Sequence, residues 1–465
     1  MPVVARVCVL AGVLGCTQLA GRAPADAGGA GDTASDANAA SDAAHVADAA
    51  LPSDAPACIH GNIPRPIERW TTSLDIFADT PLLRVNVRAV SADRARRVYL
   101  AGFYDRMGPS TFRGAVWRFE ADSPTLDPTW GVEGRALDAE ARPSVTAWFA
   151  LRLDSDERAV LAGFEVNGAA VTTIVQRLDA RGVIDPTFGV AGRLVVPPTA
   201  WHVATPGVYP YGVALGPDGG LVVGGDAPVS DRPLSRAFAL SFDAAGNLSA
   251  DFAQRGLWSD STLRGCFDAL PDRDGWVLAC MDVEDRPALA RLDAQGRRDP
   301  TWGEQGDAPA GLPRGFHVRA LERDGAGRWL VGGMISPRYD DRFGPAAVVR
   351  YHPDGTLDRS FAGQGMAVAL NGRNSFAYSG RGMLATACED RVLLGLSNLY
   401  QPLVEVFDAS GRWRSDVSAS GYLAGPPHMI LTTSTYPSFV TAVTPHEVLL
   451  VTPSRERLTL TRYSM

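Results

Sequence analysis

The stretch LDPTWGVEG at residues 126–134 returns along the chain as IDPTFGVAG (184–192), LSADFAQRG (248–256), RDPTWGEQG (298–306) and LDRSFAGQG (357–365). A degraded copy, WRSDVSASG, occupies 413–421. A unit repeated this often is one supersecondary element stacked on its neighbours, so the repeat decides the architecture before any single residue does. Working outward from each copy, the preceding segment ends in an apolar strand with an aromatic or aliphatic terminus: WRF at Trp117, QRL at Gln176, LSF at Leu240, ARL at Ala290, VRY at Val349 and EVF at Glu405. TRY at Thr461 occupies the same place in a last unit.

Seven short apolar runs precede those strands: VYLAG at Val98, AVLAG at Ala159, LVVGG at Leu221, WVLAC at Trp276, WLVGG at Trp329, VLLGL at Val392 and VLLVT at Val448. They recur about every 60 residues, and most follow a hairpin turn rich in Asp, Gly or Pro with another strand before it. No segment shows helical periodicity. Four antiparallel strands per unit match a propeller blade better than a solenoid coil, so the chain is expected to be all-β, a seven-bladed β-propeller. The seventh unit supplies three strands within the sequence, and residues 66–77 have no other assignment. They are expected to add the fourth strand and close the ring, which removes exposed sheet edges.

The repeated turn, its glycine, the period near 60 and the RL or RY strand before the turn resemble the delta-60 repeat of bacterial exported proteins, over essentially all of residues 80–465. The resemblance implies fold and export and leaves the chemistry open, because the family is not tied to one activity. In the third unit Ala250, Asp251 and Phe252 stand where other units have proline, threonine and the aromatic, so the first two depart from the pattern, as does Val417 in the sixth.

Copies within the chain can be compared with each other. The glycine four positions beyond the aromatic is kept in all six turns, at 134, 192, 256, 306, 365 and 421, which points to positive φ or close backbone approach. Trp130, Phe188, Phe252, Trp302 and Phe361 read as plugs between blades. Arg118, Arg177, Arg291 and Arg350 each precede a turn aspartate: Asp127, Asp185, Asp299 and Asp358. Both positions change together in the third unit, to Ser241 and Ser249, and in the sixth, to Val406 and Arg414. Joint loss predicts an ion pair within the blade.

The first 16 residues read as a signal: one charge at Arg6, then the apolar run VCVLAGVLG, too short for a membrane span. Val13, Leu14, Gly15 and Cys16 resemble a bacterial lipobox, implying lipidation at Cys16 and a membrane partner through that lipid, in the cell envelope. The alternative is an ordinary cleaved signal and a secreted protein. Residues 17–57 are dominated by Ala, Asp, Gly, Ser and Pro, a composition unable to bury enough apolar surface to fold, and are expected to be a linker ahead of a folded body at 58–465. All 44 basic residues are arginine, against 52 acidic ones; a GC-rich genome and a preference for bidentate pairing both account for that. The mildly negative balance offers no footprint for nucleic acid, and the body is expected to be a monomer.

In LRGCFDALPDRDGWVLAC the turn centres near Arg273, setting Leu270 opposite Trp276, Asp268 opposite Leu278 and Cys266 opposite Cys280, so a disulfide is expected there. Cys58 and Cys388 are left to pair with each other or to remain two free thiols. The seven histidines have no zinc-ligand spacing, and the acidic turns DRD before Gly275 and DSD at Asp154 read as turns rather than calcium loops. No nucleophile elbow, phosphate loop or dinucleotide fingerprint occurs, and neither metal nor cofactor is expected. Long loops at one mouth of the ring are the expected place for binding, with Tyr104, Arg106, Trp201, His202, Tyr209, Tyr211, Tyr339, Asp340 and Tyr400 as candidates. Two functions stay open: a non-enzymatic propeller binding a protein or glycan, and a propeller enzyme such as a glycosidase, lyase or cofactor-dependent dehydrogenase. The enzyme requires carboxylates or histidines converging on the axis.

Overall fold

Each apolar run of the sequence becomes the second strand of a four-stranded meander, because two hairpins flank it and its alternate side chains face neighbouring sheets on both sides. The computed structural model describes residues 67–74, 83–106, 112–138, 145–167, 170–196, 208–228, 235–303, 312–336, 344–370, 384–387, 391–397, 402–418, 422–424, 439–444, 446–453 and 458–464.

The first blade comprises β2 (Leu83–Ala92), β3 (Val98–Arg106), β4 (Phe112–Phe119) and β5 (Arg135–Leu137). The second has β6 (Val145–Leu153), β7 (Ala159–Asn167), β8 (Ala170–Leu178) and β9 (Arg193–Val196). The third has β10 (Tyr209–Leu215), β11 (Leu221–Pro228), β12 (Ser235–Phe242) and β13 (Leu257–Asp260). In the fourth, β14 (Leu263–Asp272), β15 (Gly275–Asp282) and β16 (Pro287–Asp293) are described, and the place of an outer strand falls outside the described residues. The fifth comprises β17 (Phe316–Arg323), β18 (Trp329–Ile335), β19 (Ala346–Tyr351) and β20 (Met366–Val368). The sixth comprises β21 (Leu384–Ala387), β22 (Arg391–Ser397), β23 (Pro402–Phe407) and β24 (Leu423–Ala424). In the seventh, β25 (Phe439–Thr444), β26 (Glu447–Pro453) and β27 (Leu458–Ser464) are joined on the outside by β1 (Ile67–Leu74), antiparallel to β27 with Ile67 opposite Ser464. The protein is thus an all-β, seven-bladed propeller. Among the described residues the only helical element is one 3-10 turn, Phe361–Gly363.

The core lies between blades. Residues of the first and seventh blades, among them Val87, Leu100, Trp117, Phe439, Leu449 and Leu460, form one buried cluster, as do the facing sides of other adjacent blades. The innermost strands β2, β6, β10, β14, β17, β21 and β25 touch in succession, and β25 touches β2.

The repeated turn is a joint between blades. Trp130, Phe188, Phe252, Trp302 and Phe361 are all buried. The backbone N–H of the residue after each donates to a carbonyl of the next blade: Gly131 to Arg181 (2.6 Å), Gly189 to Ala245 (2.6 Å), Ala253 to Gln295 (2.7 Å), Gly303 to Asp354 (2.8 Å) and Ala362 to Ser410 (2.8 Å). The next blade accommodates the plug with a glycine: a Cβ at Gly182 would stand 2.6 Å from the Trp130 indole. Of the six turn glycines, those at 134, 192, 256 and 365 have φ between 81° and 93°, as the repeat predicts; 306 and 421 lie outside the described residues.

All four arginine–aspartate pairs form. Arg118 Nη2 lies 2.7 Å from Asp127 Oδ2, Arg177 Nε 2.7 Å from Asp185, Arg291 Nη1 3.1 Å from Asp299 and Arg350 Nε 2.8 Å from Asp358. In the third blade Ser241 and Ser249 keep a weaker hydroxyl contact at 3.3 Å. The pairs also do more than hold one blade. Arg118 Nη1 donates to the Ala180 carbonyl (3.2 Å), Arg177 Nη1 to that of Ala244 (3.0 Å) and Arg350 Nη1 to that of Ala409, each in the following blade. One guanidinium fork thus satisfies a buried carboxylate and the neighbouring blade together.

The cysteine hairpin needs a correction of register. Leu270 faces Val277 rather than Trp276, and Asp268 faces Ala279 rather than Leu278; the tight end closes on Asp272 and Gly275. A β-bulge between Cys266 and Asp268 takes up the one-residue slip, so Cys266 does face Cys280 and the two are disulfide-bonded. Cys16, Cys58 and Cys388 lie outside the described residues.

Candidate functional site at the ring axis

The bulge in the cysteine hairpin is one of a set. The innermost strand of each of the first five blades carries one at the same place, with Arg88, Phe149, Tyr211, Phe267 and Arg319 as the extra residue at each register shift. The cause is legible in the second strand, where the apolar run of each of these five blades ends on two small residues. A Cβ on Gly102 would stand 1.9 Å from the Asn86 carbonyl oxygen, so the strand ahead of Arg88 presses onto a position with no side chain. In the fourth blade Cys280 takes this place, and its disulfide to Cys266 replaces the glycine contact.

A bulge turns its extra residue out of the ladder, and here all five extra residues lie on innermost strands that touch in succession. The five side chains meet in order around the ring. The Arg88 guanidinium sits 5.3 Å from the Phe149 ring centroid, Phe149 meets Tyr211 edge-on at 6.0 Å, and Tyr211 stacks on Phe267 at 5.2 Å. Arg319 closes the arc, 5.6 Å from the Phe267 centroid. Phe164 on β7 and Tyr209 on β10 extend the aromatic wall, with centroids 5.7 Å apart.

Ionisable groups flank the arc. On one side Asp268 is fully buried and accepts the backbone N–H groups of Ala269 (2.8 Å) and Leu321 (2.9 Å), with Arg152 Nη2 3.9 Å from its Oδ1. Burial pushes Asp268 up to about 7, Arg152 pulling against it and Glu322 adding to it. Glu322, half-buried on β17, is likewise pushed up to about 7 by desolvation, opposed by Arg152. On the other side Asp226 is pushed to about 6 by burial, against hydrogen bonds from Ser235 and Tyr211 and the charge of Arg264, which is ion-paired with Asp285. His317 is buried there and held down at about 4 by desolvation, with Arg319 and Arg264 contributing, so it stays neutral.

Among the sequence candidates, Tyr211 belongs to this arc and Tyr209 to its wall, both on β10 rather than in a loop. Tyr104 lies on β3 with its side chain buried in the core between the first and seventh blades. Arg106 ends the same strand, and its side chain falls outside the described residues, as do Trp201, His202, Tyr339, Asp340 and Tyr400. Arg88, Phe149, Phe267, Arg319, Arg152, Asp268 and Glu322 were missed, although paired small residues ending each apolar run marked where the bulges fall. The acidic turns are claimed by arginines: Arg158 Nε binds Asp154 at 2.7 Å, and Arg291 binds Asp272 at 3.0 Å and Asp274 at 2.7 Å. Among the described residues no group of three His, Cys, Asp or Glu side chains is placed to hold a metal ion.

A family model described as a domain of unknown function (DUF5122) beta-propeller matches residues 327–361, the second and third strands of the fifth blade and the turn beyond. No curated protein matches the chain. Solved structures similar to it include a catalytically inactive virginiamycin B lyase from Staphylococcus aureus with quinupristin (9% identity, TM-score 0.44, covering 85% of this chain and 99% of that one). The beta-propeller domain of the Trilobed protease from Pyrococcus furiosus also matches (10% identity, TM-score 0.39, 81% and 94% covered). So does a Lactobacillus plantarum protein (13%, 0.38, 71% and 83%). At such identity and TM-score these likenesses carry no argument about what this chain does.

Proposed function

We propose that the chain is an exported, membrane-tethered binding propeller of the delta-60 type, non-enzymatic, that holds its ligand at the axis. The observation that carries this reading is the unbroken arc of Arg88, Phe149, Tyr211, Phe267 and Arg319, side chains of five blades converging where no strand pairing requires them. Aromatic faces with a few convergent polar groups are what a small-molecule site needs. Export is supported by the buried Cys266–Cys280 disulfide, which persists in oxidising compartments, and tethering by the lipobox-like residues ending at Cys16 followed by an Ala- and Asp-rich spacer.

The test is a thermal-shift screen of the intact protein against glycans, peptides and aromatic acids, repeated on Phe149→Ala and Tyr211→Ala. A compound that stabilises the parent and neither variant supports the reading; stabilisation of all three places the ligand elsewhere and overturns it. For the tether, Cys16→Ser should move the protein from the detergent phase to the aqueous phase on partitioning. The second reading, an exported propeller enzyme, is favoured by the two carboxyls held near neutrality, Asp268 and Glu322. Turnover of a screened compound, lost in Glu322→Gln, would establish it over the first.

A further inference from the structure

Resting on the reading of the chain as membrane-tethered, we propose that the edge of the ring carrying the repeated turns of the first three blades lies against the lipid surface. Val132 is 76% exposed, Val190 85% and Val183 55%, and Ile184 and Leu248 are exposed beside them. Single exposed aliphatics are ordinary, but these five follow one another from blade to blade. The Gly131 N–H, bonded to the Arg181 carbonyl, sets Val132 against the turn that holds Val183 and Ile184. The Gly189 N–H, bonded to the Ala245 carbonyl, sets Val190 against the turn that holds Leu248. The fold does not need these side chains. The residue two before the turn glycine is valine at 132 and 190 but Gln254, Glu304, Gly363 and Ala419 in later blades, and the place of Val183 is taken by Thr125, Asn247, Arg297, Thr356 and Arg412.

The tether enters at the same edge. The third strand of a blade leads into its repeated turn, and β27 is the third strand of the seventh blade; β1 opens opposite its end, Ile67 against Ser464. The chain arriving from Cys16 therefore joins the ring at the turn-bearing edge. It joins in the seventh blade, which Arg462 holds to the first through the Ala121 carbonyl, so the apolar strip begins one blade from the point of attachment. A lipid anchor keeps that edge at high local concentration beside the bilayer, and a contact too weak to bind alone then suffices. Exposed Arg181 and Arg255 flank the strip and suit lipid phosphates. Exposed Glu133 and Asp251 sit in the same turns, which limits the contact to the headgroup boundary. The connections between second and third strands open at the opposite end of the ring, away from the bilayer.

Carbene footprinting of the full chain tests this, comparing the lipidated protein on vesicles of phosphatidylethanolamine and phosphatidylglycerol with the Cys16→Ser variant in solution. Val132, Val183 and Val190 should be labelled at least about 3-fold less on vesicles. Val283 and Leu370, exposed apolar residues at the opposite end of the ring, should keep their labelling. Val183→Asp combined with Val190→Asp should return Val132 to its soluble level of labelling while the protein still floats with the vesicles; both sites are exposed, so the fold is retained. Equal labelling of the strip in the two forms, with the lipidated protein floating, overturns the inference and leaves the tether standing. An equal fall at Val283 and Leu370 does the same. So does protection already complete in the soluble variant, which would make the cover a second copy or the chain's own N-terminal segment. A parent that carries no lipid at Cys16 and does not float overturns the tether and the inference together.

Discussion

Arg462 on the last strand donates a hydrogen bond to the carbonyl of Ala121, 341 residues earlier in the chain. It stands where Arg118, Arg177 and Arg350 stand in their blades and makes the same reach into the next blade, which for the seventh is the first. Glu447 on β26 answers it at 2.7 Å.

Arg462→Leu should therefore cost about 2–4 kcal/mol, because it removes the donor to a half-buried carbonyl and breaks an ion pair made by a buried arginine. Arg96 still holds Glu447 at 2.7 Å and limits the loss. Exposed Arg181, replaced by Leu, should change stability by less than about 0.5 kcal/mol. Urea unfolding of both variants decides it; equal effects would show that the reach between blades contributes nothing.

Deleting residues 58–77 removes β1 and bares the length of β27, which now pairs with it from Ile67 to Leu74. An unpaired edge of that length templates association between copies. Light scattering should show the truncated chain aggregating at concentrations where the parent remains monodisperse. A monodisperse truncated chain would mean that β1 is dispensable for the seventh blade.

Removing the disulfide by Cys266→Ala with Cys280→Ala frees a loop of sequence separation 14. Loss of that constraint should cost about 3 kcal/mol, measured as a lower denaturation midpoint under non-reducing conditions. The β14–β15 register itself should survive, because the bulge at Phe267 and not the sulfur bridge absorbs the offset. Hydrogen exchange on β14 reads that outcome directly.

Stability should peak on the acid side of neutrality. Asp226, Asp268 and Glu322 have folded values of about 6, 7 and 7, above their ordinary ones, so the stability they contribute is complete below about pH 4 and is lost as pH rises through 7. His317, held at about 4, works the other way, losing its contribution as pH falls from 6.5 toward 4, but it is one group against three. Turn carboxylates such as Asp127, Asp185 and Asp358 are held low by threonine or serine hydroxyls and arginine and protect the fold until the pH drops below their ordinary range. Denaturation midpoints should rise from about pH 8 to about pH 5 and fall below about pH 4. Asp268→Asn should make the first slope shallower; an unchanged slope would show that this carboxyl is not the titrating group.

The amino-acid sequence by itself determined what is local to one unit. The strand order, the blade count, the buried plugs and the arginine–aspartate pairs were all readable because both partners lie in the same repeat, eight or nine residues apart for the ion pairs, and the repeat displays each several times over. Cys266 and Cys280 were readable for the same reason, even with the hairpin register one residue out, since both sit in one hairpin.

Only the tertiary structure decided what lies between units. Arg88, Phe149, Tyr211, Phe267 and Arg319 share a position but not a residue type, so no internal comparison singles them out. They meet because five bulged strands converge on one axis. The reach from Arg118 to Ala180, the same reach from Arg462 to Ala121, and the placing of Arg152 beside Asp268 two blades away depend likewise on ring closure. Hydrophobic pattern specifies which face of a strand is buried; it does not specify which distant strand supplies the neighbour, and here the neighbours make the site.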